Sequence, residues 1–197
     1  MRIEPFKEEQ HADWDRFAAE SPDAWFWHTT EWMRFTRELA GAEFRDNLSF
    51  WVLEGETRLG IVPVFLEHGP YGLTSLWSRA GEAGPRLSYA GIALPAPALH
   101  SALGAEKRWA ALAFILERLK AEAARLGVPR FQLAVPVLAE RTLLAKLPPA
   151  NPLLRLGALD LPYMAQVIDL RRSKAELWDA VRHGHQYDVR RAEKTLR

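Results

Sequence analysis

The segment from Ser173 to Arg197 carries the side chains best suited to bind an anion. Read as one helix, it places a phenol and three cations on one face, at offsets of three, four and seven residues: Tyr187, Arg190, Arg191 and Lys194. Guanidinium groups match phosphate oxygens in a bidentate geometry, so this face would suit a phosphate-bearing ligand. The opposite stripe contains Val181, Val189, Ala192 and Leu196. The alternative is a solvated helix surface, which the residue types alone favour.

The two adjacent arginines of this segment also have a structural explanation. Arg190 and Arg191 could pair along the helix with Asp188 and Glu193, an exposed pairing that contributes little to stability. The residue types leave both interpretations open.

Two residues of the N-terminal third could also act in a site. His28 could be a general base, because an imidazole titrates near neutral pH, or it could be a satisfied histidine at the start of a helix. No carboxylate partner is identifiable for it, which favours the structural role. Trp32 could line a binding site, or it could be a core residue that packs with Phe35 and Leu39 at offsets of three and seven.

Several kinds of chemistry are excluded or disfavoured by the sequence. The chain has no cysteine, which excludes disulfides, thiolate zinc sites and cysteine nucleophiles. Its six histidines are scattered, and His183 and His185 would point to different sides of a helix, so we expect no metal site. No Gly-x-Gly-x-x-Gly and no Walker-type Gly-Lys-Ser/Thr pattern occurs, which disfavours a doubly wound nucleotide-binding fold.

Composition narrows the class of protein further. With 197 residues, 48% of them hydrophobic, the chain can bury a sizeable core. Binding to nucleic acid is favoured by the release of counterions from phosphates that the protein's positive charges neutralise. A net charge of +1 supplies little of this free energy, so nucleic-acid binding ranks last among the possible functions. Acidic residues crowd the first third and basic residues crowd the C-terminal segment. The N-terminus does not resemble a signal peptide, and no apolar run is long enough for a membrane span, so we expect a cytoplasmic protein.

Periodicity and turn residues predict the elements that position these candidates. In the first third they indicate helices over 11–20 and 30–39, the second closed by Gly41, and then strands 48–53 and 59–66 joined by a turn at Gly55. The Gly- and Pro-rich stretch 68–97 should be a loop with short strands such as 86–89.

The second half is predicted to alternate between helices and strands. A long helix 104–126 ends at Gly127, and its apolar stripe contains Trp109, Leu112, Ile115, Leu116 and Leu119. A buried strand 131–135, a short helix 137–147 and a strand 164–170 follow. Ser173 and Glu176 form a capping-box pattern that starts the terminal helix. This order predicts an α/β (α+β) fold with a mixed sheet and helices on both faces, plus a C-terminal basic helix.

Two segments together resemble the FemAB-type transferases, a tandem-domain branch of the GNAT acyltransferase superfamily. The first is the stretch His28-Thr-Thr-Glu-Trp-Met-Arg-Phe35. The second joins Val167–Leu170 and Glu176–Trp178 to the basic run Arg182-His-Gly-His-Gln-Tyr-Asp-Val-Arg-Arg-Ala-Glu-Lys194. The hairpin that ends at Gly60–Phe65 is also similar. The resemblance spans nearly the whole chain, and the terminal motif is its specific part.

The resemblance implies a GNAT-like domain over residues 1–170 and, over 171–197, the start of a second domain. It implies transfer of an acyl or aminoacyl group from acyl-CoA or an aminoacyl-tRNA to an amine or hydroxyl, by direct attack and with no tightly bound cofactor. The acceptor would be a nucleotide- or lipid-linked precursor, such as one for peptidoglycan. Its binding residues would be Trp32, Arg182, Tyr187, Arg190, Arg191 and Lys194.

The resemblance leaves two functional interpretations. In the first, the chain is the acceptor-binding half of such an acyltransferase, and works with a second GNAT domain or as a homodimer. In the second, it is a non-catalytic GNAT-like module for binding or dimerisation. The motif favours a ligand role for at least one of Arg190 and Arg191.

Overall fold

The computed structural model describes residues 1–70, 83–88, 94–129, 131–135, 138–143, 151–160 and 168–195. The chain divides into two compact units, Met1–Asp160 and Leu161–Arg197, and each is described by itself. The sequence had placed this boundary after residue 170. Four parts of the predictions lie outside the described residues: much of the loop 68–97, the end of the short helix 137–147, positions 164–167 of the last strand, and Leu196.

The described residues form nine strands and six α-helices. The strands are β1 (Arg2–Pro5), β2 (Phe44–Asn47), β3 (Phe50–Glu54), β4 (Thr57–Val62), β5 (Phe65–Pro70), β6 (Ala83–Ser88), β7 (Leu94–Pro95), β8 (Ala98–Leu99) and β9 (Leu133–Ala134). The helices are α1 (His11–Glu20), α2 (Thr30–Ala40), α3 (Ala105–Arg125), α4 (Glu140–Leu143), α5 (Lys174–Ala180) and α6 (His183–Thr195).

An antiparallel four-stranded sheet, in the order β1-β3-β4-β8, forms the centre of the first unit. Its hairpin β3–β4 turns at Gly55, whose φ of 57° lies in the left-handed region that glycine adopts without strain. At Gly60, an added Cβ would lie 2.7 Å from Leu99 Cδ2 and 3.0 Å from Ala98 O. Glycine is therefore required there for β4 and β8 to approach this closely.

The two faces of this sheet bury different residues against different helices. Phe50 and Val52 of β3 join a core cluster with α3, whereas Trp51 and Leu53 join a second cluster with α1 and α2. This alternation follows from the two-residue period of a strand. Leu59 is the extra residue of a bulge, because Val52 pairs with Gly60 and Leu53 with Arg58.

Two smaller sheets complete the first unit. β2, β5 and β6 form an antiparallel sheet, and β7 pairs with β9 in parallel. The predicted strand 59–66 is in fact two strands, because the ladder is interrupted at Pro63, which has no N–H to donate. The predicted buried strand 131–135 is shorter and only half-buried.

A buried carboxylate connects distant parts of the first unit. Asp23 accepts a hydrogen bond from the backbone N–H of Leu99 at 3.1 Å and forms ion pairs with Arg108 and Arg141. Its side chain is 12% exposed and that of Arg108 is 17% exposed. The contact fixes the loop after α1 against β8, α3 and α4, which stabilises the packing of both sheet faces.

The described residues 168–195 of the second unit form two helices in place of the single terminal helix that the sequence predicted. α5 begins at the predicted capping box, in which Ser173 Oγ accepts from the Glu176 N–H at 3.3 Å and the Glu176 carboxylate accepts from the Ser173 N–H at 2.8 Å. α5 ends at Ala180, the following residue Val181 is extended with a ψ of 132°, and α6 begins at His183. Ile168, Asp169 and Leu170 are not part of a strand.

The fold class is therefore confirmed: mixed α/β, with an antiparallel sheet covered by helices on both faces. The helices 11–20, 30–39 and 104–126 are also confirmed to within one residue at each end. The predicted glycine stops of α2 and α3 are confirmed too, since Gly41 and Gly127 have φ values of 51° and 67°.

Candidate functional site

The cationic residues of α6 lie at the surface of the second unit. Tyr187 is 65% exposed, and Arg190, Arg191 and Lys194 are all exposed. Arg182 is exposed as well, in the connection between α5 and α6. The helical spacing that the sequence predicted is retained within α6, so these four α6 side chains are available to one ligand from one side of the helix.

A buried glutamine holds α5 and α6 at the break between them. Gln186 is 9% exposed, and its Nε2 donates to the carbonyl oxygens of Trp178 at 2.8 Å and Val181 at 2.9 Å. The Trp178 carbonyl also accepts from the Val181 N–H at 3.1 Å, so Gln186 adds a second hydrogen bond there at the end of α5. Val181 is therefore not part of an apolar stripe on α6, which corrects the predicted opposite face.

Arg190 is held in place by a ring of the preceding helix. Its Cζ lies 5.5 Å from the centroid of the Trp178 ring, within the range of a cation–π contact. Within the described residues 168–195, neither Arg190 nor Arg191 forms an ion pair with Asp188 or Glu193. The helix-surface pairing that the residue types allowed is thus not formed, and the positive charges remain available for an anion.

Carboxylates near the start of α5 are already engaged. Arg171 holds the Asp169 carboxylate through two bonds of 2.8 Å, and these hydrogen bonds lower the pKa of Asp169 to about 2. The hydrogen bonds from Ser173 lower the pKa of Glu176. Both acids are therefore charged at neutral pH, and neither is suited to accept a proton in catalysis.

Trp32 belongs to the first unit, where it forms part of an exposed apolar strip. We call this strip, made of Phe26, Trp32, Phe35 and Leu39, the aromatic ridge. The ring of Trp32 is half-buried, with its centroid 5.2 Å from that of Phe26 and 4.9 Å from that of Phe35. Phe26, Phe35 and Leu39 are 48%, 47% and 62% exposed. The packing of Trp32 with Phe35 is confirmed, and Trp32 also packs against the core cluster that contains Met33. The alternative of a core stripe is wrong for Phe35 and Leu39, which face outward.

The orientation of α2 is set by polar groups near its start. The Thr30 N–H and Oγ1 donate to the two carboxylate oxygens of Asp15 at 2.7 and 2.6 Å, and Thr29 Oγ1 accepts from the Trp32 N–H at 3.2 Å. Met33 and Thr36 face inward as a result. Because Asp15 lies on α1, this anchor is a tertiary contact and does not appear in the periodicity of α2.

His28 is a satisfied structural residue. It is fully buried, its Nδ1 accepts from the Trp25 N–H at 3.3 Å, and its Nε2 donates to the Ala96 carbonyl at 2.9 Å. Burial lowers the pKa of this imidazole, since desolvation disfavours the charged form. With both ring nitrogens engaged and no access to solvent, His28 is not placed to act as a general base.

Sequence reasoning missed a shallow cavity of about 440 Å³ at the end of α2, lined by Arg34, Arg37, Glu38, Gly41 and Phe44. Four of these residues recur along α2 and its C-terminal turn at helical spacing, which is the signal that could have found it. Arg37 is already engaged, because its Cζ lies 5.2 Å from the Phe44 ring and its Nη1 lies 3.7 Å from the Glu8 carboxylate.

The structure thus places the six predicted binding residues in two units. Trp32 lies in Met1–Asp160, and Arg182, Tyr187, Arg190, Arg191 and Lys194 lie in Leu161–Arg197. Among the described residues, no group of three or more His, Asp or Glu side chains could hold a metal ion. None of the described helices has both the length and the apolar character that spanning a membrane requires.

Comparisons with known proteins give one structural likeness. No family model matches the sequence, and no curated protein matches it. The apo crystal structure of an aminoglycoside antibiotic 6'-N-acetyltransferase from Acinetobacter haemolyticus aligns with 86% of this chain and 100% of its own, at 11% identity and a TM-score of 0.49. The likeness concerns the layout of the backbone, and the identity is too low to carry over an activity or a site residue.

Proposed function

We propose that this chain is the acceptor-binding part of an acyltransferase of the FemAB-like, GNAT type. The acceptor is an amine or hydroxyl of a nucleotide- or lipid-linked precursor, of the kind used for a cell wall, and the donor is an acyl-CoA or an aminoacyl-tRNA. One observation carries the proposal: α6 presents arginine and lysine side chains that are exposed and form no ion pair within the described residues 168–195. The sequence resemblance supports it at the same positions.

The roles of the α6 side chains follow from their chemistry. Arg190, held against the Trp178 ring, and Arg191 offer planar forks that match the oxygens of a diphosphate. Lys194 lies one turn further along and adds a point charge, and the exposed ring of Tyr187 can cover the face of a sugar or base. The resemblance also assigns Trp32 to the acceptor. Phe26 and Phe35 already pack against the Trp32 ring, so Trp32 has less free surface for an acceptor. We therefore assign the binding of the phosphate groups to the cations of the second unit alone.

The reaction itself would be a direct transfer. The acceptor nitrogen or oxygen attacks the acyl carbon, the thioester or ester bond to the donor breaks, and the acceptor proton passes to the leaving thiolate or alkoxide. A chain with no cysteine suits a mechanism without a thioester to the enzyme. The buried, fully hydrogen-bonded His28 does not supply the base.

Calorimetric titration with uridine diphosphate N-acetylglucosamine tests the proposal. We expect binding, and we expect Arg191→Ala and Lys194→Ala each to weaken it by about five- to tenfold, because each removes a charge-assisted contact to phosphate. Arg118→Ala is the matched control, since Arg118 is an exposed cation on α3 of the first unit. Uridine, which has no phosphate, should bind far more weakly. Equal affinities for all three variants, or no binding by the unmodified chain, would contradict the proposal.

A second function, a non-catalytic dimerisation module, is favoured by a specific feature of α6. Val189 lies on the face of α6 opposite the cations and is 42% exposed, which leaves an apolar side chain free to contact a second copy. In that case sedimentation equilibrium should show a dimer that Val189→Asp dissociates and Lys194→Ala does not. A monomer at all concentrations would eliminate this alternative.

A further inference from the structure

α2 leaves two of its large apolar side chains exposed. Thr30, Met33 and Thr36 are its buried residues, whereas Phe35 and Leu39 are 47% and 62% exposed. A helix that only served its own core would bury Phe35 and Leu39 as well as Met33. Large aromatic side chains clustered at a surface are typical of the centre of a protein–protein interface.

The two charged residues of α2 that lie nearest to Phe35 around the helix are acidic, and the exposed cation Arg34 lies beyond them. Glu31 and Glu38 are seven residues apart on α2, so they lie on the same side of the helix, next to Phe35. Glu38 forms no ion pair with any residue that the structure describes, and Glu31 reaches Arg34 only at 4.0 Å. The nearby cation Arg37 is engaged by Glu8 and the Phe44 ring. A molecule bound at the ridge would therefore lie beside the Glu31 and Glu38 carboxylates along one side.

These two carboxylates discriminate between possible occupants. Two copies of α2 packed antiparallel across a two-fold axis would place Glu31 of one copy near Glu38 of the other, and like charges there would oppose the dimer. Anionic lipid would be repelled in the same way. A helix with an apolar stripe and basic residues along its flank would gain both apolar contact and charge pairing.

We propose that the aromatic ridge is a docking surface for an amphipathic helix of a partner protein, whose apolar stripe is flanked by lysine or arginine. This goes beyond the proposed acyl transfer and does not depend on it. The mode of recognition is that of a helix laid against an apolar surface, with its specificity set by the charges along the rim.

Two synthetic helical peptides with the same leucine stripe test the proposal, one flanked by lysine and the other by glutamate. Fluorescence anisotropy of the labelled peptides measures their affinity for the intact chain. We expect the lysine peptide to bind at least about tenfold more tightly than the glutamate peptide. The double variant Glu31→Lys, Glu38→Lys should reverse that preference. Phe35→Asp should weaken the lysine peptide at least about thirtyfold, because it charges the centre of the apolar contact.

The control is Glu20→Lys, which changes an exposed carboxylate at the end of α1 by the same charge. It should leave the preference for the lysine peptide unchanged. If Glu20→Lys reversed that preference as strongly as the double variant does, the preference would depend only on the net charge of the chain, and the proposal would be overturned. Failure of both peptides to bind would also overturn it. So would self-association of the chain, or binding to phosphatidylglycerol vesicles, if either is abolished by Phe35→Asp. The substituted positions are exposed, so the circular dichroism spectra of these variants should match that of the unmodified chain.

Discussion

Two aromatic clusters in the N-terminal third of the chain differ in their burial and in the polar groups around them. In the buried aromatic cluster of Phe6, Trp14, Phe17 and Trp51, the ring centroids lie 4.8 to 5.7 Å apart. In the aromatic ridge the two ring contacts are as close, at 4.9 and 5.2 Å, yet the rings of Phe26 and Phe35 remain exposed. Ring packing alone therefore does not distinguish a core from a binding surface.

The polar groups around the rings do distinguish them. In the buried cluster Trp14 Nε1 donates to His28 O at 2.6 Å, and Trp51 Nε1 donates to Gln10 Oε1 at 3.1 Å. Arg58 lies 4.1 Å from the Trp51 ring and is itself held by Asp13 at 2.9 Å, and its hydrogen bond lowers the pKa of that carboxyl. At the ridge, Glu38 has no such ion-pair partner among the described residues. A closed cluster stabilises the fold, and an open one is available to a partner.

The largest expected effect is on the buried cluster. Trp51→Ala should lower the free energy of unfolding by about 3–5 kcal/mol, because it leaves a cavity between α1 and the sheet. Urea denaturation followed by circular dichroism measures it. Trp51→Phe, which keeps a ring, should lose less than the alanine variant. A loss under about 1 kcal/mol for Trp51→Ala would mean that the cluster is not the core of this sheet face.

The second effect is a pH dependence of stability from His28. Burial lowers the pKa of the folded imidazole below its ordinary value of 6.5. As the pH falls below that value, the unfolded chain binds a proton that the folded chain does not, so stability is lost, by at most about 1.4 kcal/mol per pH unit. The nearby Asp23 opposes this shift only as a smaller contribution.

His28→Gln tests this pH dependence, because a glutamine does not titrate. Denaturant unfolding from about pH 7.5 to about pH 5.5 should show a flatter slope for the variant than for the unmodified chain, whatever its absolute stability. His11→Gln, which changes an exposed histidine, should retain the slope. Parallel slopes for all three proteins would show that His28 is not the group responsible.

The third effect is local to the second unit. Ser173→Ala removes the side chain that caps α5, so the backbone amides of α5 should exchange hydrogen about fivefold faster. Acidification should have the same effect: the lowered pKa of Glu176 means that its contribution is present above the ordinary value of 4.5 and is lost as the pH falls through the lowered value. Lys174→Ala is the control. Unchanged exchange in Ser173→Ala would show that the capping box does not stabilise α5.

The smallest effect is expected at the aromatic ridge. Phe35→Ser should change the free energy of unfolding by less than about 0.5 kcal/mol, because the ring contributes to no buried core. The same urea titration as for Trp51 measures it. A loss above about 2 kcal/mol would mean that the ridge is covered in solution, and the contrast between the two clusters would disappear.

The sequence predicted the elements whose stability is local. α1, α3 and the β3–β4 turn follow from apolar periodicity and from glycines at positive φ, and the Ser173 cap follows from a side chain three residues before its partner. The features it missed depend on contacts across the chain. Asp15 sets which face of α2 is buried, and Gln186 stabilises the break between α5 and α6 through carbonyls of the preceding helix and turn.

The candidate site was predictable to a similar extent. Helical spacing was sufficient to place Tyr187, Arg190, Arg191 and Lys194 on one helix, and their exposure agrees with it. The contact of Arg190 with Trp178 was not predictable, because it requires the turn between α5 and α6. Trp32 was assigned through resemblance alone, and its outward-facing neighbours Phe26 and Phe35 became apparent only in three dimensions.

The Asp23 contacts have a consequence for synthesis on the ribosome. Their partners lie 76, 85 and 118 residues further along the chain. At translation rates of about 5–20 residues per second, the carboxylate is made roughly 6–24 s before Arg141. During that interval α1 and the loop after it lack the contacts that fix them to α3 and α4, so the aromatic residues beside them are exposed to chaperones. Nascent-chain release at different lengths should therefore show protection from proteolysis only after Arg141 has emerged.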